Sequence, residues 1–559
     1  MTGDADAIYT NGDIVTVDDE QPIAEAVAVK DGRIVAVGAH DDVVRENLGP
    51  HTRRVDLAGN TLLPGFIDPH SHYINALTVA NQVNVFAPPA GPAADVEAIV
   101  AELKKFRDAR DIADGEIIMA YGYDETVMPD GRTLHREDLD ADFPNNPVLV
   151  GHVSLHGAVL NSAAMQKFGI SADTETPPGG VIVRKEGSTE PDGLIMETAF
   201  LPIFASLPKP TPEQEVQWSI AGQLLYAAVG ITTAHEGLTH AADIALLRRA
   251  AAGGVDIIEV IAYPFILELD EVLPENPADT FGTYHNRLKL GGVKITLDGS
   301  PQGRTAFFTT PYLADGPGGE KNWSGELPFS QETVNGWFKR VYDLGLPLNI
   351  HANGDGAIDV LLAAHEYAAA DDPTKDRHTT VIHSQFVRRD QLAKYVEYNL
   401  IPSLFTEHAF YFGDTHVRLR GKEQAHFLSP MRAAIDMGLR PTNHTDFNVT
   451  PLDQMFVLWT AVNRVSRSGE VIGADQRVTA VEALKAITIN AAYQYSEEQS
   501  KGYSEEQSKG SITVGKLADL VIVDNNPLTV DPMKLKDIAV LETIKEGRTV
   551  YREPATQSS

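Results

Sequence analysis

The chain has 559 residues, 43% hydrophobic and 22% charged, an ordinary globular composition. Its formal net charge of −32 argues against nucleic acid or an anionic membrane as partners and fits a salt-rich cytoplasm. It has no cysteine, so disulfides, thiolate metal sites and thiol nucleophiles are excluded, and any metal must be held by His, Asp, Glu or a modified residue.

The opening "MTGDADAIYTNGDIVTVDDE" lacks the basic region and apolar core of a secretory signal. No apolar run approaches the ~18 residues that a membrane helix requires. The reading is a soluble, cytoplasmic protein. Asn11-Gly12 between two strand-like runs predicts a hairpin, and Asp31-Gly32 in "AVAVKDGRIVAVG" predicts another. Leu62 to Ile67 in "LLPGFIDPHSHY" reads as one buried strand, followed by His70 and His72. Residues from about 76 to 210 break the rhythm that follows and read as an insertion. It carries "YGYDETV" and "HVSLHGAVLNSAAM", where Tyr121 and Tyr123 could line a pocket or form core.

Beyond the insertion, β-like runs alternate with helical patterns. The runs cover 230–236, 255–265, 292–300, 346–355, 379–386, 400–405 and 439–446. Helices are predicted over Gln331 to Asp343, Ala357 to Ala369, Arg389 to Tyr398 and Pro430 to Gly438. With Leu62–Ile67 this makes eight strand-like runs, the pattern of an α/β chain closing into a (β/α)8 TIM barrel. The octapeptide "YSEEQSKG" occurs at 495–502 and again at 503–510, a neutral junction insertion on this reading. The C-terminal "GKLADLVIVD" and "VLETIKEGRTVY", with a turn at Glu546-Gly547, look like the N-terminal strands. The expected division is a small β domain from residues 1–62 and 511–559, a barrel over 63–494 with its insertion, and the duplicated junction at 495–510.

Side chains two apart on an extended segment point the same way, so His70 and His72 face one side just past a strand. Alone, an H-x-H is weak evidence of a metal. Recurrence strengthens it: Lys294, His351, His383 and Asp446 stand at the ends of later strands, where α/β barrels carry their chemistry. Imidazoles and a carboxylate are ligand types that zinc prefers.

"LPGFIDPHSH" and "KLADLVIVD" resemble the first-strand and return-strand motifs of the amidohydrolase superfamily. "DGSPQGRTA", "HANGDGAID", "FTEHAFYFGDTH" and "GKLADLVIVDNNPL" are similar to the branch that includes N-substituted formamide deformylases. The resemblance runs over nearly the whole chain. It implies a distorted (β/α)8 barrel with a small β-sandwich built from both chain ends. It implies that His70 and His72 hold one metal, that His351 and His383 hold a second, and that Asp446 binds metal and carries the proton. Lys294, an ammonium in its ordinary state, would bridge two zinc ions as a carbamate. The alternative is a lysine paired with a carboxylate such as Asp298.

The implied reaction is hydrolysis of a non-peptide C–N bond in a linear amide, most like deformylation of an N-substituted formamide. Metal lowers the pKa of water, and Asp446 serves as general base and then general acid. His156, Gln302, Arg304, His408 and His416 are candidate substrate contacts, and Asp414, His235 and His444 stand near the same strand ends. Asn443, His444 and Thr445 precede Asp446 where the family often has a Gly-Ser pair, which leaves the substrate open. A superfamily deaminase is the rival, with a cyclic amide hydrolase or a non-catalytic scaffold behind it. Gly354 counts against the deaminase, since those enzymes carry glutamate three residues after the fifth-strand histidine. A homo-oligomer is compatible with the sequence.

Overall fold

The computed structural model describes residues 4–125, 128–129, 132–152, 157–177, 180–207, 210–316, 320–498 and 508–554. It is a mixed α/β fold with two compact units, Asn75–Gly222 and the remainder of the chain. No helix among the described residues is long and apolar enough to cross a membrane.

Strands from both ends of the chain join one eight-stranded sheet. Leu520–Val523 pairs antiparallel with Thr61–Pro64, which in turn runs parallel to the end of Ala7–Val15. The turns at Asp31-Gly32 and Glu546-Gly547 close hairpins, with all four residues at positive φ. Asn11-Gly12 does not. There the strand Ala7–Val15 continues through a bulge between Thr10 and Ile14, and Asn11 takes φ 61°. The Asn-Gly pair is used to kink a strand rather than to reverse it.

The predicted strand Leu62–Ile67 is also two strands. Thr61–Pro64 belongs to the terminal sheet, and Phe66–Ile67 pairs with Ile231–Thr239 in a second sheet. The crossing falls at Gly65, where a Cβ would come within 2.6 Å of Thr232 Cγ2. A side chain there would hold the two strands apart.

Two five-stranded sheets carry the remaining described strands of this larger unit. In the first, Phe66–Ile67, Ile231–Thr239, Glu259–Pro264 and Leu288–Leu290 are parallel neighbours, and Tyr284–His285 is antiparallel at the edge. In the second, Val293–Thr296, Leu348–Ala352, Thr380–His383, Ile401–Leu404 and Thr442–Asn443 are all parallel. A parallel bridge between Phe265 and Lys294 links the sheets on one side. On the other, Asp446 N donates to His70 O at 3.2 Å and His72 N to Phe447 O at 2.8 Å.

Strands buried on both faces read as continuous apolar runs. Accordingly Val293, Ile295, Leu348, Ile350 and Val381 pack against Phe338, Ile358, Leu361 and Tyr395 of the covering helices. Those helices span Gln331–Asp343, Asp355–Ala368 and Arg389–Tyr398. The first is capped by Ser330, whose hydroxyl accepts from Thr333 N at 3.2 Å.

The other unit has its own six-stranded sheet, ordered Gly180–Arg184, Pro191–Glu197, Gly157–Leu160, Val148–His152, Ile118–Tyr123, Val83–Asn84. Helix Val96–Arg110 packs on it through Ile99 and Leu103. Tyr123 is core there, and its hydroxyl accepts from Leu134 N at 2.9 Å. The predicted insertion of about 76–210 falls within this unit, which extends twelve residues further, to Gly222.

Candidate metal centre

His70 and His72 follow Phe66–Ile67 on a loop built around the buried carboxylate of Asp68. That carboxylate accepts from His70 N at 3.2 Å, from His235 N at 3.3 Å and from the Ser71 hydroxyl. Burial pushes Asp68 up to about 7, while these bonds pull the other way. Gly237 gives the His70 ring its place, since a Cβ there would stand 2.4 Å from His70 Cε1.

Asp446 follows the strand Thr442–Asn443. His70 Nε2 and His72 Nε2 each lie 3.3 Å from its Oδ1, and His383 Nε2 lies 3.9 Å from its Oδ2. His383 ends Thr380–His383, and its Nε2 is 3.1 Å from Nδ1 of His351 on the neighbouring strand. His351 Nε2 meets the Asn353 amide at 3.1 Å. His70, His383 and Asp446 each offer a ligand atom within 4.8 Å of the others, enough to hold a metal ion.

The residues fit such an ion. His70 is buried with neither ring nitrogen in a well-formed hydrogen bond, and the same holds for Asp446 Oδ1, despite its 3.3 Å contacts, and for His383 Nδ1. Leaving buried polar atoms unbonded costs about 1–3 kcal/mol each. Separations near 3.3 Å match the edge between ligands held about 2.0–2.1 Å from one ion. Burial, followed by the neighbouring Lys294 and histidines, depresses the pKa of His70, leaving a neutral imidazole with one ring nitrogen's lone pair open to a metal. Burial opposes ionisation of Asp446, but His72 and His383 outweigh it and hold the carboxyl well below its usual range.

Lys294 is buried on Val293–Thr296 and forms no ion pair with a described carboxylate. Asp298, the alternative partner, instead accepts from the backbone nitrogens of Gly354 at 2.8 Å, Asn353 at 2.9 Å and Phe307 at 3.0 Å. Burial brings the Lys294 ammonium down to about 8 against the opposing fields of Asp446 and Glu236.

His408 and His416 stack at 5.2 Å, with His408 Nδ1 3.0 Å from His416 Nε2. Burial holds both neutral, His416 at about 3. Gln302 is half-buried with Oε1 unbonded. The Arg304 guanidinium is engaged elsewhere, donating to Asp315 O at 2.8 Å, and Asp414 is held by Ser466 and Ser468. His156 lies outside the described residues. His444 and His235 are buried against His70, with ring centroids 5.1 Å away in each case. His235 is spoken for: its Nδ1 meets Pro69 O at 2.8 Å and its Nε2 meets the Asn349 amide at 3.2 Å. Sequence reasoning missed Asp68, Ser71 and Glu236. Glu236 accepts from Ile74 N at 2.7 Å and Leu238 N at 3.1 Å beside His72. The one signal for Asp68 and Ser71 was their place inside "FIDPHSH".

The model of an amidohydrolase family matches residues 53–551. The chain belongs to the amidohydrolase family. This amidohydrolase is 29% identical to the N-substituted formamide deformylase of Arthrobacter pascens over 99% of each chain. Its fold is similar to two crystal structures of uncharacterized metal-dependent hydrolases. For that of Pyrococcus horikoshii OT3 the TM-score is 0.70 at 23% identity, over 94% of this chain and 99% of the other. For that of Pyrococcus furiosus the values are 0.70 and 23%, over 94% and 100%.

Proposed function

We propose that this chain is a metal-dependent hydrolase of a non-peptide C–N bond in a small linear amide, most like the deformylation of an N-substituted formamide. The observation that carries the proposal is the convergence of His70, His72 and His383 on Asp446, with neither buried His70 nitrogen in a well-formed hydrogen bond. The two parallel sheets, bridged on both sides, support a distorted (β/α)8 barrel, with the terminal strands as its small β-sandwich.

In this reading His70 and His72 would hold one zinc, His351 and His383 a second, and Lys294, carbamylated, would be a ligand the two ions share. An amine brought down to about 8, with no ion-pair partner among the described carboxylates, is available to CO2 near neutral pH. When bound, the metals polarise the amide carbonyl and bring the pKa of water to about 7. Asp446, held ionised, accepts a proton and passes it to the leaving amine. His408 and His416, neutral and buried, and the free Gln302 Oε1 present hydrogen-bonding atoms to the substrate. The protein acts in the cytoplasm on a small molecule, without nucleic acid or membrane.

The test is metal analysis with a substrate panel of formamides, acetamides, ureas and cyclic imides. About two zinc per chain with release of formate and amine is the expected result. One metal with ammonia release would favour a deaminase, and no metal at all would sink the proposal.

A further inference from the structure

The duplicated octapeptide is not absorbed by the proposed chemistry, yet its described residues reach the metal-centre loop. Tyr495, the first residue of the first copy, is buried with its ring against His235. Its hydroxyl donates to Asp68 O at 2.7 Å. Gln494, immediately before it, donates to Pro69 O at 2.8 Å, and the His235 Nδ1 meets that same carbonyl. The two backbone carbonyls that lead into His70 are therefore both held from the junction. The His70 ring itself packs over Gly237 with Nε2 3.3 Å from Asp446 Oδ1, and the two held carbonyls fix the backbone that carries it.

The junction is anchored by both copies. Glu497 of the first copy pairs with Lys289, whose Nζ also donates to Tyr495 O at 3.3 Å. Lys509 of the second copy lies 3.0 Å from Glu497 and pairs with Glu259. Lys509 N donates to Glu497 O at 2.8 Å. Glu497 and Lys509 are twelve residues apart. With one octapeptide removed they would be four apart, the spacing of a helical N–H to C=O bond. The described ends thus meet as one copy would, with Tyr495 and Glu497 from the first repeat and Lys509 from the second.

We infer that Tyr495 is a positioning residue for the metal centre, clamping the Asp68–Pro69 backbone so that His70 and His72 are aimed, and that the two copies together supply a single clamp. This rests on the metal site proposed above. The two repeats provide an internal control, because Tyr495 and Tyr503 begin identical octapeptides. Tyr503 lies outside the described residues.

The experiment titrates zinc alone into the full-length apoprotein against a competing chelator, with the thermal midpoint of each metal-free variant as the fold control. Loss of an orienting partner of a metal ligand typically weakens affinity 10–100-fold. Tyr495→Phe should weaken zinc by about that factor while the metal-free midpoint moves only slightly, and Tyr503→Phe should bind as wild type. If Tyr495→Phe does not fold, Gln494→Met tests the companion bond and should also weaken zinc binding. Deleting one octapeptide gives the same sequence whichever copy is removed, and should keep wild-type affinity. Wild-type affinity in Tyr495→Phe, or equal losses in Tyr495→Phe and Tyr503→Phe, would overturn the inference. Failure of the wild-type protein itself to bind zinc would instead overturn the metal site on which it rests.

Discussion

His383 and His351 face each other nitrogen to nitrogen, Nε2 to Nδ1, at 3.1 Å across adjacent parallel strands. The Asn353 amide already occupies the other nitrogen of His351, and the other nitrogen of His383 is buried and unbonded. A cation held between the two rings would replace this nitrogen-to-nitrogen hydrogen bond with two ligand bonds. Chelation should therefore lower the thermal midpoint, and added zinc should restore it. A ligand at a thousandfold excess over its Kd stabilises the folded state by about 4 kcal/mol. His351→Ala should reduce zinc from two per chain to one. Unchanged melting after exhaustive chelation, with metal removal verified, would contradict this.

Lys294 tests the bridge. Lys294→Ala should lose at least one metal and lower turnover by about 100-fold or more, since metal stabilisation of the transition state is worth several kcal/mol. Wild-type protein equilibrated with 13C-labelled bicarbonate should give a carbamate carbonyl resonance that the variant lacks. Full metal content in Lys294→Ala would remove the lysine from the ligand set.

Asp446 separates binding from proton transfer. Asp446→Asn keeps an oxygen in place but has no carboxylate to accept a proton. Metal content should stay near wild type, while kcat falls by about 10²–10⁴-fold. Turnover near the wild-type value would show that another group carries the proton.

Much of this centre is legible in the sequence, for a physical reason. His351 and His383 stand at or next to the ends of short, largely apolar strands of a buried parallel sheet, and Asp446 follows the short strand Thr442–Asn443 at the same end. Helices Gln331–Asp343 and Arg389–Tyr398 are equally visible through their apolar spacing. What escapes is whatever acts through backbone or through distant partners. Asn11-Gly12 suits a bulge as well as a hairpin, and only the position of the strands decides between them. Asp68 serves backbone nitrogens and a hydroxyl, and Tyr495 serves a carbonyl 427 positions away. Arg304 is a candidate by its place after the Lys294 strand, but its hydrogen bond to Asp315 O is invisible in the sequence.

The junction also sets a pH dependence of stability. Glu259 is buried among Lys509, Lys545 at 3.0 Å and Arg287 at 4.0 Å, with Asp519 and Glu497 completing the cluster. Burial opposes its charge, but Lys509 and Lys545 outweigh that and hold the carboxyl well below its ordinary range. A carboxyl depressed in the folded state stabilises fully above its unfolded pKa, about 4.3, and loses that contribution as pH falls toward the folded value. The Lys509 ammonium is shifted the opposite way: Glu259 and Glu497 raise it against burial, so its contribution holds through neutral pH and fades only in strong alkali. Asp519, raised chiefly by burial, takes up its proton at higher pH in the folded state than in the unfolded one, which opposes the acid loss from Glu259. Removing one partner of a buried pair costs about 3–5 kcal/mol. Glu259→Gln should therefore be less stable by roughly that amount across pH 6–9, with the gap to wild type closing below about pH 4. Urea midpoints measured across pH 3–9 check this. A difference that stayed constant down to pH 3 would show that Glu259 contributes by shape and hydrogen bonding rather than by charge.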